Sequence, residues 1–114
     1  TLSPSVKVEM SNASASIRGY AEGCESLPYV SYRNSDERAA FVEFLKHAKN
    51  AAIALDALSR FRGDVLFLLP AAKVEIMRAL ASFKYLGHCV LAGRVKDCLL
   101  VAQECLGAID EGER

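Results

Sequence analysis

Net charge, long apolar runs and catalytic signatures are all missing from this 114-residue sequence. Lys and Arg number 14 and Asp and Glu number 14, so the formal charge is zero. That balance excludes a histone-like protein held to DNA by bulk charge alone. The longest clear apolar run, Val65 to Leu69, falls far short of the roughly 18 residues a membrane helix needs. No membrane partner is therefore expected. Thr1-Leu2-Ser3-Pro4 has no charged-then-apolar signal pattern, so the expected location is cytoplasmic or intracellular. A start at Thr1 fits the loss of an initiator Met and fits trimming of a longer chain equally well.

The motif inventory is equally bare. No G-x-S-x-G, Gly-rich phosphate loop, H-E-x-x-H or EF-hand pattern occurs. No cofactor, metal or small-molecule substrate is implied, and no enzyme is expected. His47 and His88 are the two histidines. His47 follows Glu43 by one helical turn on the polar side of its helix, which reads as a solvated neighbour. His88 adjoins Cys89, but adjacent helical residues do not face each other, so they make no nucleophile pair. Arg62-Gly63-Asp64 and Asn12-Ala13-Ser14 match an adhesion tripeptide and a glycosylation sequon, both short enough to arise by chance.

Four cysteines are present, Cys24, Cys89, Cys98 and Cys105, without Cys-x-x-Cys or zinc-finger spacing. Cys98 and Cys105 lie two turns apart on one helix, about 10 Å along its axis and too far to bond. The three late cysteines read as small apolar core residues. Cys24, from a different region, is the candidate disulfide partner.

What the chain does have is hydrophobic residues, 52% of the total, which excludes a disordered chain. Its length suits one domain with one core. Val6, Val8 and Met10 alternate with Lys7 and Glu9, as in a half-buried strand. Ala13, Ala15 and Ile17 alternate after a turn at Ser11-Asn12, and Tyr29 to Arg33 offers a third short strand. From residue 35 the period becomes helical. Ser35 reads as an N-cap, with Arg38 at N3. Phe41, Leu45, Ala48, Ala52 and Leu55 make one face, and Gly63 a stop.

Val65 to Leu69 fits a strand, a core plug or an early helical turn. A second helix is expected from Pro70 to Leu86, with its stripe on Ala72, Ile76, Leu80 and Phe83. A third carries the seam Leu91, Val95, Cys98, Ala102, Cys105 and Ile109. The expected fold is mainly α: an antiparallel three-helix bundle over residues 35–114, with residues 1–34 packed on it as a small β-hairpin or three-stranded β element. By strict count that is α+β, in one domain.

Two features point toward function. Leu99, Leu100, Val101 and Leu106 lie partly off the third helix's seam, leaving a second apolar strip as a candidate protein interface. The zero charge also hides a gradient, +2 over residues 65–87 and −2 over 88–114. Arg60, Arg62, Lys73, Arg78 and Lys84, interleaved with Phe61 and Tyr85, form a candidate nucleic-acid contact. The expectation is a non-catalytic assembly subunit that self-associates into a homo-oligomer or filament, or docks into a larger complex. The alternative is a nucleic-acid-contacting small helical subunit of a ribonucleoprotein or effector complex.

Overall fold

The computed structural model describes residues 2–26, 34–83 and 90–113. Four α-helices account for most of them: α1 (Pro4–Glu25), α2 (Ser35–Arg60), α3 (Leu69–Ser82) and α4 (Val90–Glu113). A single 3-10 turn, Val65–Phe67, leads into α3. Among the described residues there is no strand.

The expected N-terminal β element is therefore overturned. Residues 4–25 form a helix, and the bundle has a fourth member. The local reasons lie in the same residues. The Ser3 side chain accepts the Val6 N–H, and Pro4 occupies the first turn, where its missing N–H costs nothing. Met10, Ser14, Ile17, Ala21 and Cys24 are buried at spacings of four and three, one continuous helix face. Val8, which gave the strand-like alternation its middle member, is exposed. Tyr29 to Arg33, read as a third strand, lies outside the described residues.

The three later helices lie where the periodicity put them, with shifted ends. Asn34, rather than Ser35, caps α2: its Oδ1 accepts the Glu37 N–H at 2.9 Å. That places Glu37, not Arg38, at N3. α2 ends at Arg60, before Gly63. The ambiguous Val65 segment is one 3-10 turn, capped by the Asp64 carboxylate accepting the Leu66 N–H at 3.0 Å. α3 stops at Ser82, short of the expected Leu86, and Lys84 to Cys89 lie outside the described residues.

Neighbouring helices run antiparallel. Ser14 of α1 meets Ala52 of α2, and His47 and Phe44 of α2 meet Glu75 and Phe83 beside α3. Lys73 of α3 meets Asp110 of α4, and Glu9 of α1 meets Cys105 of α4. The result is an up-down-up-down bundle in which α1 touches both α2 and α4. It is a rod, 45 × 20 × 16 Å. Its radius of gyration is 14.5 Å; a rounder chain of this length would have about 13 Å.

One core runs along the rod. Phe44, Leu55 and Leu58 of α2 meet Ile76 of α3, Ile17 of α1, and Val95, Leu99 and Leu106 of α4. Ala48, Ala51, Ala52, Ala72 and Ala102 are also fully or nearly fully covered, which lets the helices approach closely. Ser14, the one buried polar side chain among the described residues, donates its hydroxyl proton to the Ala52 carbonyl at 2.6 Å. That bond meets its desolvation cost and ties α1 to α2. No described helix is long and apolar enough to cross a membrane.

Candidate functional site

A broad concavity lies between α1 and α4. It is an open groove of about 820 Å³. Met10 and Ala13 line it from α1, and Cys98, Val101, Ala102, Cys105 and Ala108 from α4. The local cause is side-chain size. Ala13, Cys98, Ala102, Cys105 and Ala108 are small, and small side chains leave a trough between two helix cylinders. A shallower extension of about 300 Å³ continues past Ala108 toward Leu2 and Gly112.

Glu9, Asp97 and Glu104 stand along this groove, and among the described residues no Lys or Arg lines it. Outside the groove, one turn before Asp97, the Arg94 guanidinium carbon lies 5.8 Å from the centre of the Tyr20 ring. Inside, the Cys105 thiol donates to a Glu9 carboxylate oxygen at 3.3 Å. Burial, then that hydrogen bond and the Glu9 charge, push the Cys105 thiol up to about 11. Cys98 is raised by burial and by the charge of Asp97. Both thiols therefore stay protonated near neutral pH, which makes them poor nucleophiles and poor metal ligands.

The candidate interface residues divide. Leu99 and Leu106 are fully buried in the core and cannot line an outer surface. Leu100 and Val101 are 42% and 64% exposed, and Val101 lines the groove. The buried stripe of α4 is Ala92, Val95, Leu99, Ala102, Leu106 and Ile109. It is rotated from the expected seam because α1 as well as α3 covers this helix. That rotation moves Cys98 and Cys105 from the expected core to its edge, where both are half-buried.

The candidate nucleic-acid residues are largely matched with carboxylates. Arg60 pairs with Asp56 at 3.3 Å, Lys73 with Asp110 at 2.8 Å, and Arg78 with Glu75 at 3.7 Å. Arg62 is exposed beside Asp64, and Lys84 lies outside the described residues. No disulfide joins Cys24, which is buried in α1, to Cys98 or Cys105. Cys89 and His88 lie outside the described residues.

Sequence reasoning missed one polar cluster. His47 is not a solvated neighbour: its side chain is only 12% exposed. Its Nδ1 lies 2.6 Å from Glu75 on α3, and its Nε2 lies 3.1 Å from Glu43. Asn50 donates to the same Glu75 oxygen at 3.5 Å. Burial pushes the Glu75 carboxyl up, but the His47 and Asn50 hydrogen bonds and the positive charges of His47 and Arg78 outweigh it, so the net shift is downward. The two carboxylates sit on opposite ring nitrogens, so the three groups do not converge on one point. The cluster is a clamp between α2 and α3. Glu75 is 28 residues from His47, a pairing no local spacing announces.

A smaller groove on that opposite side, about 530 Å³, is lined by Ile53, Ala57 and Val74 along with Asn50 and Glu75. No known family, curated protein or solved structure matches this chain.

Proposed function

We propose that this chain is a non-catalytic assembly subunit, docking into a larger complex through the face formed by α1 and α4. The supporting observation is the open groove itself, an apolar trough along half the rod with Val101 exposed on its wall. An apolar concavity of this extent on a rigid bundle suits a binding surface. Its chemistry suits no catalyst. The titratable groups that line it are two thiols held in their protonated form and the carboxylates Glu9, Asp97 and Glu104, of which Glu9 accepts from Cys105. The nucleic-acid alternative is weakened by the carboxylate partners of Arg60, Lys73 and Arg78, which cancel most of the basic zone.

The test is the native size of the tagged protein in extracts of its own cells, compared with Val101→Lys. The expected result is a wild-type species larger than the monomer and a variant that shifts to monomer size. Two identical monomer-sized profiles would remove the proposal.

A further inference from the structure

We infer that the occupant of the α1–α4 groove is a basic amphipathic helix of another protein. This rests on the docking reading above and names the chemistry of the partner. Four features of the groove set that chemistry.

The first is shape. The trough lies between two antiparallel helices, and a third helix is the element that fits a trough between two cylinders. The second is length. The lining on α4 runs from Asp97 to Gly112 when the shallow extension is included. At 1.5 Å per residue that is about 23 Å, or about four helical turns.

The third is depth. One turn beyond the lining positions come Gly19 on α1 and Gly93 on α4. A Cβ on either would meet nothing within 4 Å. Glycine inside a helix costs about 1 kcal/mol relative to alanine, and no neighbour within this chain requires it at these two places. Bare backbone there admits a close helix approach, as do Ala13, Ala102 and Ala108.

The fourth is charge. Glu9, Asp97 and Glu104 stand along a groove lined by no described cation. An apolar stripe flanked by Lys or Arg would cover the floor and neutralise the rim. A second copy of this chain is a poorer fit. Its opposite face, around Ile53 and Val74, carries Lys46, Lys49 and Arg78, each already paired with a carboxylate of the chain, Glu43, Glu25 and Glu75.

The probe is a stapled helical peptide of about 16 residues, long enough for four turns, with one Leu/Ala face flanked by lysines. Its control is the same peptide with every Lys replaced by Glu. Binding to the full chain is read by fluorescence anisotropy, and its location by the rate of iodoacetamide labelling at Cys98 and Cys105. The expected result is one bound Lys peptide per chain and slowed labelling at both cysteines. The Glu peptide should bind at least about tenfold more weakly, and affinity for the Lys peptide should fall with added salt. The double variant Asp97→Lys with Glu104→Lys, its fold checked by circular dichroism, should invert the preference.

Equal affinities, no binding of either peptide, or binding that leaves both cysteines fully reactive would overturn the inference. So would self-association of the wild type that Val101→Lys abolishes, because the occupant would then be a second copy. If the double variant fails to fold, cysteine protection in the wild type decides. The two readings fail separately. A complex in cells that Val101→Lys dissolves, without peptide binding, removes the basic helix and keeps the docking face.

Discussion

The two long sides of the rod are built on different principles. Between α2 and α3 the inner seam is closed by aromatic packing and matched charge, and the outer part keeps the smaller groove of about 530 Å³. Phe44 and Phe83 meet edge to face at 5.1 Å, and the Glu43–His47–Glu75 clamp matches charge with charge. Between α1 and α4 the inner half of the seam is closed by Met10, Ile17, Leu99 and Leu106, while the outer half holds Ala and Cys and stays open. The grooves on the two sides differ in size, about 820 Å³ against about 530 Å³, and the proposed docking face is the larger of the two.

The comparison can be broken first on the α2–α3 side. Phe44→Ala removes a fully buried ring and should cost about 3–5 kcal/mol in urea unfolding. Val101→Ala on the open side should change stability by less than about 0.5 kcal/mol. Similar losses at the two positions would mean that the sides are not different in kind.

The clamp comes next. Glu75 is held below the usual carboxylate range, so its contribution is fully present above that range and is lost as pH falls through the lowered value. The wild-type melting temperature should therefore drop on that acid limb. Glu75→Gln should flatten the limb and lower stability near pH 7 by about 1.5–3 kcal/mol, the scale of a hydrogen bond to a charged group. An unchanged acid limb in the variant would place the clamp outside the stability of the fold.

A smaller effect than the clamp's is expected on the open side, with the opposite sign. Gly93→Ala adds a methyl group into empty space on a helix, and should raise stability by about 0.5–1 kcal/mol. A loss would show that the bare backbone is already in use within the chain.

These differences also explain what the sequence made legible. α2, α3 and α4 announced themselves because Phe, Leu, Ile and Val recur at helical spacing over several turns. α1 did not, because its core face is Met10, Ser14, Ile17, Ala21 and Cys24. Two of those five residues are polar or small enough to read as loop, and Val6 and Val8 supplied a competing alternation. The helical signal was present in Ser3-Pro4 and in that spacing of four and three, but weak apolar contrast hid it. The open side was half legible: Leu100 and Val101 were correctly seen to lie off the seam. Leu99 and Leu106 lie in the core because the arc buried on α4 depends on how many helices flank it, and the weak apolar contrast of α1 hides the helix that covers them. The clamp was not legible, since it depends on which face of α3 turns toward α2.

The central claim is that docking belongs to the α1–α4 side alone. Its most direct test places one substitution on each side, Val101→Lys in the groove and Met77→Lys on the exposed face of α3, and compares native size in cells. The account predicts that Val101→Lys reduces the protein to a monomer while Met77→Lys leaves the assembly intact. Release by Met77→Lys, or an assembly that survives Val101→Lys, would contradict it.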